Sequence, residues 1–373
     1  MSSKVNPYSV SGKINYDKLI SEFGVKKITP DVLKEIESLT GEVHPYLKRG
    51  IFFAYRDLKK VLDEYKKGNR FFLYTGRAPS GPIHLGHISV WLFMKWLQDK
   101  LDVDVWFQFP DEEKFLFKSD YDWKEIQHWL HENMLDVIAL GFDPKKTHFL
   151  IDTKHAGIMY PEAVKVAKKI TFSSIKAAFG FNESNNIGSI FYTAMQTVPV
   201  FLPNVLENKK KPCLIPLGID QDVHFRLSRD VVEKLGYEKP ALIHAKFMPP
   251  LSGVEGKMSS SESDKAILMT DSPKEVARKI NKYAFSGGRD TIEEHRKHGG
   301  DVDVDIACQW LKYFEFDDEK LKQIYDDYSS GKFLSGEIKK ILIDEINEFL
   351  AEHQKKRKEA DKLIDKFIYK QKI

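Results

Sequence analysis

Cysteine is almost missing from this chain. The two that occur, Cys213 and Cys308, lie far apart, without the close pairing of a zinc site or the dense spacing of a disulfide framework. A reducing compartment suits them. No run of about eighteen apolar residues appears, so no membrane span is expected. The first ten residues are polar and lack the apolar stretch of a secretion signal, and the expected location is the cytosol. Fixed-period repeats and low-complexity tracts are also absent, which removes solenoids and disordered scaffolds. Nor does one sign of charge dominate: 58 Lys and Arg against 55 Asp and Glu leave +3, a balance that neither demands nor excludes a nucleic-acid partner. The basic excess gathers from His353 to Ile373, where eight Lys or Arg face three Asp or Glu. That run reads as a solvated helix face or as a contact for an anionic partner.

What is present is enough for a full core. With 373 residues, 42% of them hydrophobic, two or three domains are expected. Residues 1–69 hold a β-prone opening, Val5 to Val10, and helical patterns near 30–39 and 56–67, and look like a short N-terminal extension. From Arg70 to Thr75 the composition is that of a strand. A Gly/Pro-rich turn covers 76–82, a dense apolar helix 86–101, and a second strand Val103 to Phe109. In that strand Val and Phe alternate with Asp104, Trp106 and Gln108, which turns Gln108 away from the more apolar face. The unit is βαβ, so the sheet is parallel and ligands are expected beyond the carboxyl ends of its strands. The same grammar returns with strands at 211–217 and 241–247 around a helix at 222–235. The expected fold is therefore α/β: a Rossmann-like parallel-sheet catalytic domain over 70–272, split by an insertion at about 115–200. A C-terminal α-helical domain over 273–373 follows, where Ile338, Ile341, Leu342, Ile346, Phe349 and Leu350 recur at helical spacing.

Two stretches carry phosphate chemistry. In the first, Thr75 to His87, Gly76 and Gly81 permit close backbone approach, and Gly86 clears the start of a helix whose free N–H groups attract an anion. His84 and His87, three residues apart, project toward that anion and could stabilise charge building on phosphorus. Taken alone, two histidines in a turn read equally well as surface or core residues. They lack the further ligands of a metal site, so no metal held by protein side chains is expected. In the second, Gly256 to Ser261, Lys257 offers a movable cation, and Ser259, Ser260 and Ser261 offer hydroxyls in a flexible loop.

The order His84-Leu-Gly-His87, then Lys257-Met258-Ser259-Ser260-Ser261, resembles the HIGH and KMSKS signatures of class I aminoacyl-tRNA synthetases. Ser260 replaces the second lysine. Within the class the chain is similar, over nearly its whole length, to the tryptophanyl type of eukaryotes and archaea. Stretches such as Leu217-Gly-Ile-Asp-Gln-Asp222 and the run from Ala284 to Arg296 carry that likeness. The resemblance implies an enzyme that adenylates L-tryptophan with ATP and Mg2+ and passes it to tRNA(Trp), working as a homodimer in the cytoplasm. It implies His84, His87 and Lys257 as catalytic residues. Gly76, Gly86, Gly218, Asp220, Met258, Ser259, Ser260 and Ser261 fall at ATP, with Arg77 and Lys114 as phosphate contacts. Beside Asp111-Glu112-Glu113, Lys114 reads equally as an exposed ion-pair partner. Tyr74 and Gln108 match the residues that read the indole N–H, and Glu113, Gln196 and Gln221 those that hold the ammonium. A tyrosine-specific synthetase shares both signatures. Further off stand a small-molecule nucleotidyltransferase and a binding module without catalysis.

Overall fold

The alternation at 103–109 decides how the centre is layered. Val105, Phe107 and Phe109 join the core on one face of a sheet, while Trp106 points into the core on the other. The computed structural model describes residues 4–6, 9–11, 14–118, 121–258 and 264–370. In chain order the strands are β1 Lys4–Asn6, β2 Ser9–Ser11, β3 Lys26–Lys27, β4 Phe52–Arg56, β5 Phe72–Gly76, β6 Asp104–Phe109, β7 Thr147–Ile151, β8 Cys213–Gly218 and β9 Ala241–Ala245. β1 and β2 form an antiparallel pair, and the other seven make one sheet in the order β3-β4-β9-β8-β5-β6-β7. All pairings from β9 to β7 are parallel, whereas β4 and β3 run antiparallel at the far edge. β5 leads into the helix Leu85–Leu101, which packs on the Phe107 face, and β8 leads into Asp222–Lys234, which packs on the Trp106 face.

Three strands of this sheet lie where none was anticipated: the two-residue β3 at its edge, and β4 and β7. β4, within the stretch read as an extension, pairs with β9, and β7, within the expected insertion, pairs with β6. Both are five-residue runs buried on nearly every side chain, so they lack the in-out alternation that marks a strand in sequence. The sheet is thus not confined to 70–272.

The C-terminal region is helical, with Pro273–Tyr283, Ile306–Phe314 and Trp123–Ala139 packed on the long helix Ser335–Ala360. Part of the basic C-terminal run faces inward: Arg357 binds Glu132 at 2.6 Å and Asp136 at 2.7 Å, while Lys355, Lys356 and Lys358 are exposed. Three bonds tie the helices to the segment that leads to Lys257. They are Trp310 Nε1–H to the Pro249 carbonyl (2.9 Å), Tyr313 hydroxyl to Phe247 (3.3 Å) and Phe285 N–H to Leu251 (2.8 Å). No helix of the described residues is long and apolar enough to cross a membrane.

Because β4 completes the sheet, Phe52→Ala should lower unfolding free energy by about 3–5 kcal/mol in chemical denaturation. A chain starting at Arg70 should show no cooperative thermal transition. A sharp transition in the shortened chain would contradict this account.

Candidate active site

β5 and β8 are neighbours whose chains depart to opposite faces, so a crevice must open beyond their carboxyl ends. A cavity of about 670 Å³ occupies that place. Every expected site residue that the structure describes lines it, from Tyr74 and Gln108 at one end to His84 and Lys257 at the other. Ser259, Ser260 and Ser261 lie outside the described residues.

The histidine turn and the lysine loop meet here through backbone pairing. Leu85 N–H donates to the Ile267 carbonyl (3.0 Å), Met269 N–H to Ile83 (3.0 Å), and His84 bridges to Leu268. A Cβ on Gly86 would stand 3.0 Å from the His84 ring and 3.3 Å from Met258 Cβ, so glycine is what lets the two segments close. Gly76 serves a similar purpose against the Gln108 carbonyl, 3.0 Å from where its Cβ would sit.

His84 caps the helix Leu85–Leu101: its Nδ1 accepts from Gly86 N–H (3.1 Å), while His84 N–H donates to His87 Nδ1 (3.3 Å). Both rings, stacked at 3.6 Å, therefore carry their proton on Nε2 and offer it outward. Burial, with Arg77 adding to it, pushes His84 down to about 3 and His87 well below its ordinary value, so both are neutral donors at pH 7. The charge comes from elsewhere. Arg77 Nε and Nη2 are buried without a hydrogen-bond partner among the described residues, an arrangement that suits an anion. Burial lowers this guanidinium only to about 10. Lys257 Nζ contacts Asp220 Oδ2 at 2.8 Å and lies 5.8 Å over the Phe247 ring. The same Asp220 oxygen accepts from Gln221 Nε2 at 3.1 Å. Gly218 makes room for this carboxylate, since a Cβ there would come within 2.8 Å of Asp220 Oδ1.

At the deeper end the Tyr74 hydroxyl donates to Gln108 Oε1 at 2.6 Å, and both side chains are buried. Phe225 meets the Tyr74 ring edge-on at 5.9 Å. Glu113 pairs with Lys114 at 2.6 Å and accepts from the Tyr192 hydroxyl at 3.0 Å. Burial works against its charge, but Lys114 and Tyr192 outweigh that and hold Glu113 below the usual carboxylate range. Lys114 is thus bound to its own neighbour inside the cavity, and not in the exposed ion pair expected as the alternative. Gln196 stands just beyond the helix Ile187–Met195, one turn after Tyr192. Tyr192 was missed in sequence, although its i, i+4 relation to Gln196 would have placed it on the same face.

Two phosphate-directed segments from the two halves of one parallel sheet, closing over one cavity, define the catalytic centre of a class I synthetase. The comparisons agree. The family model for tRNA synthetases class I (W and Y) matches residues 66–351. The tryptophan–tRNA ligase of Sulfurisphaera tokodaii is 51% identical over 98% of this chain and 95% of its own. That of Pyrococcus furiosus is 47% identical over 99% and 95%. Among solved structures, Plasmodium falciparum tryptophanyl-tRNA synthetase superposes with a TM-score of 0.90 at 44% identity, over 95% of this chain and 98% of that one. The chain belongs to the class I tRNA synthetases of the tryptophan and tyrosine group.

Unfolded His84 takes a proton near 6.5, whereas the folded residue refuses one until about 3. The unfolded chain therefore binds more protons in that interval, and stability falls as pH drops through it. His84→Gln should flatten this part of the curve in urea unfolding at stepped pH; an unchanged slope would contradict the burial of the ring.

Proposed function

We propose that this chain is a tryptophan–tRNA ligase, joining L-tryptophan to ATP as the adenylate and passing it to tRNA(Trp). One observation carries the substrate: the buried Tyr74–Gln108 pair, whose oxygens keep lone pairs for a single N–H donor among aromatic walls. Indole has one donor and no acceptor, and a ring without that donor leaves a buried oxygen unpaired at about 1–3 kcal/mol. The ammonium falls to Glu113, Gln196 and Gln221, a carboxylate and two amides that line the same cavity.

The carboxylate of tryptophan is already ionised near pH 7, so no general base is needed for its attack on the α-phosphorus. Catalysis is orientation plus stabilisation of charge on phosphorus and departing pyrophosphate. His84 and His87 give neutral N–H donors, and Arg77 and Lys257 give cations. Asp220 takes ribose hydroxyls beside Gly218 and Gly76, with Met258 closing on Gly86. Among the described residues no group of three His, Cys, Asp or Glu is placed to hold a metal. The phosphate end is built of N–H donors and cations, so Mg2+ fits as the counterion that ATP carries, where it offsets phosphate charge. A terminal ribose hydroxyl of tRNA then attacks the acyl carbonyl of the adenylate, forming the ester as the anhydride bond breaks and AMP leaves. The tRNA phosphates meet exposed Lys355, Lys356 and Lys358 of the helical region, 273–373. Such work belongs in the cytoplasm.

ATP–pyrophosphate exchange with each of the twenty amino acids tests this reading. Tryptophan alone should support it; Lys257→Ala should slow exchange at least tenfold, and Gln108→Ala should chiefly erode preference for tryptophan. Exchange driven by tyrosine instead would reject the assignment.

The same reading makes the enzyme a homodimer. Helices Ala156–Ala167 and Ile187–Met195 pack together and leave Tyr160, Val164 and Ile187 exposed, the last at 85%. Apolar side chains gathered this way ask for a cover. Ile187→Asp with Val164→Asp should give monomers in sedimentation velocity, and an unweakened dimer would exclude this face.

A further inference from the structure

Gln108 recognises a donor only if its amide oxygen, not its nitrogen, faces the cavity. The two ends have nearly the same shape, so something must choose between them. Behind Gln108, Nε2 donates to Asp152 Oδ2 at 2.7 Å, with Oδ1 at 3.0 Å. Asp152 follows directly on β7, and its N–H donates to the Phe109 carbonyl (3.2 Å), so sheet register fixes it beside Gln108. It is 1% exposed and outside the cavity lining.

We propose that Asp152 is a positioning residue for substrate selection: by accepting only from Nε2, it locks Gln108 with Oε1 toward the indole N–H. The lock has its own support. Glu112 lies beside Asp152, and the buried Glu112 Oε2 has no hydrogen-bond partner among the described residues, as fits two carboxyl groups close enough to share a proton. Burial raises both groups, Glu112 to about 7 with the Asp111 charge adding to it; Glu112 raises Asp152 further, whereas Asp152 acts to lower Glu112. The nearby Asp111 is occupied elsewhere, accepting from Thr153 N–H (3.1 Å) and Oγ1 (2.5 Å) and from Gln127 Nε2 (3.3 Å). Asp152 therefore keeps its second valence for Glu112 while its lone pairs hold Gln108. An apolar side chain at 152 would leave the Gln108 NH2 facing hydrocarbon. The amide would then turn, presenting NH2 to another N–H donor.

This inference rests on tryptophan being the substrate, and the test separates the two. Compare kcat/KM in pyrophosphate exchange for tryptophan and for its benzothienyl analogue, in which sulfur replaces the indole N–H. Asp152→Leu should cut the preference for tryptophan by about tenfold or more, through the KM for tryptophan, with the KM for ATP unchanged. Asp152→Asn should keep the preference, because its amide oxygen still accepts from Gln108 while its NH2 donates to Glu112. If Asp152→Leu does not fold, Asp152→Ala is read in its place and should lose preference in the same direction. Full preference in the apolar variant, or an equal fall with both amino acids, would overturn the lock. Failure of the wild-type chain to use tryptophan would instead overturn the substrate itself.

Discussion

Everything at the site depends on two parallel strands lying side by side and sending their chains to opposite faces. β5 turns into one helix layer and β8 into the other. The crevice is a consequence of chain direction, not of a missing side chain. Closing it needs a third segment, supplied by residues 267–269, which pair with the histidine turn, and by Met258, which abuts Gly86. Substituting Gly86 would push on that seam before it touched any substrate.

The seam also explains how the charges are divided. His84 and His87 are spent structurally on Nδ1, one as a helix cap and one as acceptor of the capping residue's own N–H. Their burial keeps them neutral, so they add directed N–H groups and no net charge. Cationic attraction is left to Arg77, which lacks partners for two of its nitrogens among the described residues, and to Lys257, which pairs with Asp220. Neutral donors of fixed direction and cations of adjustable position are complementary parts of a phosphate site.

The helical region enters the same mechanics. Trp310, Tyr313 and Phe285 donate to three carbonyls between Phe247 and Leu251, just ahead of the lysine loop. A tRNA held on those helices would therefore act on a segment only a few residues from Lys257. Arg357 and His353, fixed to Asp136, anchor the long helix to the inserted region at its other end.

How much of this could be read in the chain follows from the kind of signal each part leaves. β5, β6, β8 and the helices after them carry period or turn chemistry over enough residues to be recognised. β4 and β7, five residues each and buried nearly throughout, carry neither, and so the sheet extends beyond its expected bounds. Of the cavity, the residues brought together are those whose glycines, histidines or lysine are required by phosphate, or whose neighbours form a recognisable run. Tyr192 needed only a helical reading of the segment before Gln196. Asp152 is different in kind: it touches no ligand, stands in an ordinary turn, and matters only through the orientation of an amide 44 residues earlier. A residue that acts by choosing between two isosteric ends of another side chain leaves no pattern in sequence, because the choice exists only once the sheet register has placed the two in contact.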